Sequence, residues 1–296
     1  MKKTYMLFLL ILIPLTGYAQ EELMNLLNEG DKPETVYTIA TFKSSRIVNG
    51  HSIERMVPGQ LDFRISHRFG RVNGGAYELF GLDQANIHFS LEYGIFKWLM
   101  VGAGRGSYEK TFDGFAKVSL LRQSSGAVNM PVSVSLFSSA GLKTIKYPPD
   151  PARTNEFASR FSYTSQILVA RKISQGLSLQ LTPTYVHHNI MSTDYEPHDL
   201  FAVGAGGRMK LSKRISLNAD YYFVTNPERY MLQSVYNPLS LGIDIETGGH
   251  VFQLIMTNSV AMIEKGFVGE TTGSWMKGDI HFGFNISRVF NLRKKK

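Results

Sequence analysis

The chain has 296 residues, no cysteine and a formal net charge of +8 at pH 7. The lack of cysteine excludes disulfide scaffolds, thiolate metal sites, cysteine nucleophiles and a lipid anchor on an N-terminal cysteine. Much of the positive charge lies at the ends, in Lys2, Lys3 and the tail Arg293-Lys294-Lys295-Lys296. The basic balance is therefore weak support for nucleic-acid binding, and we expect no nucleic-acid partner.

The first residues, MKKTYMLFLLILIPLTGYAQ, have the form of a secretory signal peptide. A basic start is followed by an apolar run from Met6 to Leu15 and by the small-x-small pattern Gly17-Tyr18-Ala19. The apolar run is too short for a membrane-spanning helix, which takes about 20 residues, and no later stretch is long and apolar enough. We predict a signal peptide at 1–19 and an exported mature chain that starts near Gln20.

Residues 20–58 do not follow the pattern of the rest of the chain. EELMNLLNE has the spacing of a short amphipathic helix, and YTIATFKSSRIVNGHSIERM is extended, polar and basic. Two placements stay open for this N-terminal segment: it is either periplasmic or packed in a lumen as a partial plug.

From residue 59 onward, apolar and polar residues alternate with a period of two. In GDIHFGFNISRVF (278–290), for example, Ile280, Phe282 and Phe284 fall on one face, and His281 and Asn285 fall on the other. This alternation is typical of strands with one apolar and one polar face, and about twelve such segments succeed one another. The fold class is therefore all-β.

The connections between these strands alternate between long and short. The long ones fall near 71–85, 106–113, 142–156, 187–199, 225–237 and 259–277, and the tight ones near 96–97, 172–175, 212–213 and 248–249, with 122–130 intermediate. Long loops at one end, short turns at the other and an even strand count are typical of outer-membrane barrels. We predict a closed antiparallel transmembrane β-barrel over 59–290, with periplasmic termini, barrel assembly machinery and outer-membrane lipid as partners, and 291–296 as a basic tail.

Four stretches carry a resemblance to a known family: ATFKSSRIVNGHS (40–52), SHRFGRVNGGAYELFGLDQANI (66–87), IETGGHVFQL (245–254) and KGDIHFGFNISRVF (277–290). They resemble uncharacterised β-barrel proteins of Bacteroidota, a domain of unknown function, over essentially the whole mature chain. The resemblance implies an outer-membrane barrel and brings no substrate, cofactor or catalytic residue. The chain departs from the general barrel pattern at its end, because NLRKKK follows Phe290.

Two histidine groups are candidates for chemistry. His88 and Ser90 form a His-x-Ser pair resembling that of outer-membrane lipid hydrolases, but Phe89 and Leu91 claim the lipid face and place the pair inside. His187, His188 and His198 share a long loop with Asp194, Glu196 and Asp199, residue types that bind Zn²⁺ or Cu²⁺. The spacing matches no compact ligand motif, so we expect no catalytic residue, metal or cofactor.

The charged residues on the polar faces are the main candidates for function. They are Arg64, Arg68, Glu92, Lys117, Arg160, Arg208, Lys210, Asp220, Asp244, Glu246 and Asp279. In a lumen of this width opposed charges pair and close it, or unpaired basic residues line a small pore and favour anions. The near balance of signs favours pairing.

Three functions follow from these patterns. The first is a small porin-like channel for small hydrophilic solutes, anions among them. The second is a closed barrel whose loops or N-terminal segment recruit partners. The third, a lipid-modifying enzyme, lacks the lipid-facing triad that it needs.

Overall fold

The computed structural model describes residues 34–146, 157–190, 197–225 and 235–292. The predicted signal peptide, the stretch EELMNLLNE and the tail from residue 293 lie outside these residues. In the part of the chain that is described, no helix is both long enough and apolar enough to cross a membrane.

Twelve antiparallel strands form one closed barrel. They are β1 (Gln60–Arg71), β2 (Ala85–Phe96), β3 (Leu99–Gly106), β4 (Thr111–Leu121), β5 (Ser133–Lys143), β6 (Phe161–Lys172), β7 (Leu177–His188), β8 (Asp199–Lys210), β9 (Ile215–Val224), β10 (Leu239–Thr247), β11 (His250–Thr257) and β12 (His281–Asn291). Each strand pairs with its neighbours in the chain, and β12 closes the ring on β1 with Ser287 opposite Arg64. The predicted closed barrel of about twelve strands is confirmed.

Alternation of side chains determines the two faces of the barrel wall. In β2, His88, Ser90 and Glu92 are buried inside, whereas Phe89 and Leu91 are 44% and 50% exposed on the outside. The same alternation runs through β7, where the serine, glutamine and threonines from Ser178 to Thr184 are buried and the intervening leucines are exposed. The outer face is therefore apolar and suited to lipid, and the inner face is polar.

The connections separate the barrel into a short-turn end and a long-loop end. Residues 97–98, 173–176, 211–214 and 248–249 make the tight turns, and the longer connections lie between β1 and β2, β5 and β6, β7 and β8, β9 and β10, and β11 and β12. The prediction of a long connection at 106–113 is wrong, because β3 runs to Gly106 and only residues 107–110 join it to β4. At the short-turn end, Val36–Tyr37 pairs with Ser124–Ser125 of the β4–β5 connection.

Helical structure in the described residues is confined to short pieces of the connections. The 3₁₀ turns are Val72–Gly74, Ala76–Gly81, Tyr108–Lys110, Phe157–Arg160 and Trp275–Lys277, and the α-helix is Glu264–Gly269. Leu79 and Phe80 in the first long loop have positive φ angles of 45° and 54°.

Two segments fill the lumen. The plug, residues 41–57, enters from the short-turn end and makes a tight turn in which the Ile47 amide donates to the Gly50 carbonyl. Within it Ser45, Val48, His51 and Ser52 are 0% exposed. The inward loop, residues 258–271, enters from the opposite end and buries its helix Glu264–Gly269 completely. Of the two placements left open for the N-terminal segment, residues 41–57 take the lumenal one.

Barrel width explains why the chain supplies this filling. Eight strands enclose a space that side chains alone fill, and sixteen to eighteen strands leave an aqueous channel. Twelve strands lie between these limits. Side chains from the wall leave a gap at this width, and the plug and the inward loop occupy it.

A thiol-labelling experiment tests the plug position, and the absence of native cysteine makes it clean. Ser52→Cys places a thiol where the native side chain is 0% exposed, and Tyr77→Cys places one at a site that is 96% exposed. We expect a membrane-impermeant maleimide to label Ser52→Cys at least about a hundredfold more slowly, because a buried thiol reacts only through local opening. Equal labelling rates in folded protein would contradict a plugged lumen.

Candidate functional site: the plugged lumen

Asp220 of β9 anchors the tip of the plug. One oxygen of its carboxylate accepts hydrogen bonds from three successive backbone amides, those of Val48 (3.2 Å), Asn49 (2.8 Å) and Gly50 (2.9 Å). Successive amides that converge in this way form an anion-binding concavity. Gly50 is required at this turn, because a Cβ there would lie 2.1 Å from the Tyr222 hydroxyl.

Lys117 of β4, whose charge is opposite to that of Asp220, binds both arms of the plug. Its ammonium donates to the backbone carbonyls of Ser52 (2.8 Å), Glu54 (2.8 Å) and Ser45 (3.3 Å). The side chain is 0% exposed, so the three bonds take the place of its water shell. The wall therefore binds the plug backbone through one buried anion and one buried cation.

The plug and the inward loop meet at an ion pair in the middle of the lumen. Arg46 of the plug lies 3.1 Å from Glu264 of the inward loop, and both are almost fully buried. His51 brings its Nε2 within 3.7 Å of the same carboxylate while its ring packs against Phe115 and Phe137. Removing one partner of such a pair leaves an uncompensated buried charge, so movement of either segment affects the other.

Further polar side chains of the wall bind the plug at its sides. Arg64 Nη2 donates to the hydroxyls of Ser44 and Ser45, both at 2.8 Å, and Arg68 Nη2 donates to Asn49 Oδ1 at 2.6 Å. On other strands, the side-chain amides of Gln180 and Gln253 donate to the plug carbonyls of His51 and Ile47. The polar lining and the plug backbone thus satisfy each other's hydrogen-bonding groups.

An apolar cluster also joins the plug to the wall. Phe42, Ile47, Val48 and Ile53 of the plug pack with wall residues that include Met100, Phe115, Phe137, Leu168 and Ile255. A buried side chain of this kind contributes about 1.5–3 kcal/mol relative to exposure. The plug therefore has a small hydrophobic core of its own within a polar lumen.

The inward loop has an independent attachment near the long-loop end. Phe267 and Val268 pack with Val186, Leu200, Ala202, Tyr222 and Val224 of the wall. The Lys265 ammonium lies between Glu109 (2.6 Å) and Glu270 (2.9 Å). Burial lowers the pKa of Lys265, but the carboxylates of Glu270 and Glu109 outweigh it and raise that pKa above its ordinary value. The amine therefore stays charged and holds the loop inside.

Seven of the eleven charged residues expected on the polar faces are buried inside the barrel: Arg64, Arg68, Glu92, Lys117, Arg208, Asp220 and Asp244. Glu246 and the exposed Lys210 lie at the short-turn end. Two differ from the expectation because their strands begin later than the alternation indicated. Arg160 precedes β6 and donates to the Ile145 carbonyl, and Asp279 precedes β12 and binds Arg71 at 3.2 Å.

Inside the lumen, His88 is paired with a carboxylate. Its Nε2 lies 2.7 Å from Asp113 Oδ1, and the imidazole is 4% exposed. Ser90 is buried on the same face with no hydrogen-bond partner for its hydroxyl among the described residues. The His88 Nε2 is thus directed to Asp113, and His88 and Ser90 both face away from lipid. This geometry gives no positive support for a lipid-modifying enzyme.

The loop histidines are divided by the strand geometry. His187 binds Asp199 at 2.7 Å on the outer side, whereas the adjacent His188 points inward and is 7% exposed. Neighbouring residues of a strand face opposite sides, so His187 and His188 do not converge. Across the described residues no group of three or more His, Asp or Glu side chains is placed to hold a metal. Asp194 and Glu196 lie outside the described residues.

Several residues of the site were not among the sequence candidates. Asp62 and Asp113 share the inward face with Arg64 and Lys117, and extending the two-residue period would have included them. Arg46 and Glu264 belong to segments without periodicity, so no local pattern marks them. Asp62 lies 2.9 Å from Arg64, and Glu92 lies 3.7 Å from it.

A hollow lies at each end of the filled lumen. The outer hollow, of about 600 Å³ at the long-loop end, is lined by residues that include Arg71, Glu78, Glu270, Asp279 and His281. The inner hollow, of about 720 Å³ at the short-turn end, is lined by residues that include Lys43, Lys172, Arg208, Lys210 and Lys213. Between them, the plug residues at the centre are buried.

These features define the class of protein: an outer-membrane β-barrel of twelve strands whose polar lumen holds its own N-terminal segment. The chain belongs to the family described as "Membrane bound beta barrel domain (DUF5777)", whose sequence profile matches residues 42–290. The match begins within the plug, so the plug is part of the family's domain. The Bacteroidota origin stays a prediction.

Solved structures of similar form include channels, porins and outer membrane phospholipase A from Escherichia coli. The COG4313 outer membrane channel from Pseudomonas putida F1 shares 10% identity at a TM-score of 0.49, covering 84% of this chain and 100% of that one. The NanC porin shares 7% (TM-score 0.48; 79% and 100% covered), and the KdgM porin shares 7% (TM-score 0.45; 78% and 99% covered). No curated protein matches the sequence.

Asp220→Asn tests the anchoring of the plug tip. In the Ser52→Cys background we expect the labelling rate to rise about 30-fold, because weakening a charged acceptor costs about 2 kcal/mol and 1.4 kcal/mol corresponds to about tenfold in population. Asp199→Asn is the matched control, since Asp199 is exposed at the long-loop end. An unchanged rate in Asp220→Asn would show that the three amide bonds do not hold the plug.

Proposed function

We propose that the protein is an outer-membrane channel for small hydrophilic solutes that is held closed by its own plug and conducts when the plug moves. The observation that carries this proposal is the way the wall binds the plug. Asp220 and Lys117 contact backbone groups of residues 45–54, so departure of the plug would leave a lumen lined with charged and amide groups. Water and polar solutes then replace the plug backbone as hydrogen-bonding partners.

Electrostatic balance along the wall supports a channel for polar solutes in general. Arg64, Arg68 and Lys117 face Glu92, Asp220 and Asp244 across or along the same lumen. Rings of one sign select ions of the opposite sign, whereas mixed charges impose little preference. The central lumen would therefore pass small hydrophilic solutes without strong selection by charge.

A second function, a permanently closed barrel that recruits partners, is favoured by the apolar cluster around Phe42, Ile47, Val48 and Ile53. Apolar packing makes exit of the plug slow. In this case the exposed long loops would provide the interaction surface, and Tyr77 at 96% exposure is the most prominent side chain of the first one.

Export and placement belong to the same proposal. A signal peptide at 1–19 would direct the chain to the periplasm, and the barrel assembly machinery would insert residues 59–290 into the outer membrane. The short-turn end would then face the periplasm, as in other barrels of this class. The plug would enter from the periplasmic side.

Single-channel recording in a planar bilayer distinguishes the two functions. We expect wild-type protein to be silent with rare openings, and the double variant Lys117→Met/Asp220→Asn to open at least about tenfold more often, because two buried charged anchors of the plug are lost. Asp199→Asn is again the control and should match wild type.

The same variants should be labelled at Ser52→Cys, which reports plug release independently of current. A double variant that labels rapidly but carries no current would reject the channel and support the closed barrel. A double variant that neither labels nor conducts would show that the anchors are not what closes the lumen, and it would reject the proposed mechanism.

A further inference from the structure

The inner hollow has a strong excess of positive charge. Its lining contains five basic residues, Lys43, Lys172, Arg208, Lys210 and Lys213, and one carboxylate, Glu246. The outer hollow, by contrast, combines Arg71 and His281 with Glu78, Glu270 and Asp279. The two mouths of the barrel are therefore electrostatically different.

Only some of the basic side chains in the inner hollow are paired with a carboxylate. Both oxygens of Glu246 are engaged, one with Lys43 at 2.7 Å and the other with Arg208 at 3.2 Å. The Lys172 ammonium donates to the Ile39 carbonyl at 3.0 Å. Among the described residues, Lys210 and Lys213 have no carboxylate within ion-pair distance, and both are exposed. At least two cations of the hollow thus lack an anionic partner.

The hollow is concave and large enough for an organic solute. Its volume of about 720 Å³ lies within the range of about 300–1,000 Å³ that is usual for small-molecule sites. Lysines act as mobile point charges rather than as a rigid fork, so they suit an anion of variable shape. A cavity with low-dielectric walls of one sign also focuses the field and raises the local concentration of opposite charge.

We infer that the inner hollow is a binding site for a small solute with two or more negative charges, such as a polycarboxylate or a phosphate compound. The site lies where the chain enters the barrel: Lys43 belongs to the plug, and the neighbouring Ala40 has a positive φ of 53°. The role of this site in transport rests on the proposed channel. In that channel, anions would be selected at the inner hollow, on the periplasmic side, and not in the central lumen, where the charges are balanced.

Calorimetric titration of the full mature chain in detergent at low ionic strength tests the site, with citrate and pyrophosphate as separate probes and glycerol as the uncharged control. We expect saturable binding at one site per chain for at least one of the two anions. Lys210→Gln/Lys213→Gln should weaken it at least about tenfold, because two charges close to the anion are lost. Raising the salt should weaken it further.

Lys97→Gln is the matched control, since Lys97 is also an exposed lysine of a short turn but does not line the hollow. Its affinity should equal that of wild type. Absence of saturable binding for both anions, or equal loss in Lys97→Gln, would overturn the inference. Binding is measured on the closed barrel, so its outcome is separate from that of the conductance experiment.

Acetylation by a small anhydride, read by mass spectrometry, provides a second measurement that does not depend on any variant. Bound anion should slow modification of Lys210 and Lys213 at least about threefold, because a nearby negative charge favours the protonated, unreactive form of each amine. Lys97 should be modified at an unchanged rate. Equal protection of all three lysines would show general screening by the added salt and would reject a site in the hollow.

Discussion

Buried charge inside the barrel is the constraint on which the rest of the structure depends. Asp220 and Lys117 are held away from water, and a buried charge is tolerated only with partners in hydrogen-bonding geometry. Both find these partners in backbone amides and carbonyls of the plug. The wall therefore specifies where residues 45–54 lie. The plug in turn supplies the hydrogen-bonding partners that allow charged side chains to be buried in a filled lumen.

Two further kinds of contact hold the plug in the lumen. The apolar cluster around Ile47 and Phe137 supplies non-directional stability, and the ion pair between Arg46 and Glu264 links the plug to the inward loop. Because the inward loop is attached near the opposite end through Phe267 and Lys265, the ion pair connects the two ends of the barrel. The inward loop and the plug therefore constrain each other's position through this buried pair.

The two ends of the barrel differ in the charge of the residues that line them. The balanced outer hollow and the basic inner hollow create different electrostatic environments at the two ends of the barrel. Lys43 belongs both to the inner hollow and to the plug, so charge at the mouth and position of the plug are coupled through one side chain. The proposed anion site and the plug are therefore adjacent in space and share Lys43.

The sequence by itself determined the closed barrel, because the two-residue period and the alternating connections are local patterns that survive in one dimension. It also indicated most inward charges, such as Arg64 and Glu92, since strand parity assigns a face to each residue. Only the tertiary structure decided where residues 41–57 lie and that Arg46 meets Glu264. Arg46 and Glu264 lie 218 residues apart, in segments without periodicity, so no local pattern in the sequence indicates their contact. The charge asymmetry of the two mouths likewise depends on turns and strand ends that are distant in the chain and come together only when the barrel closes.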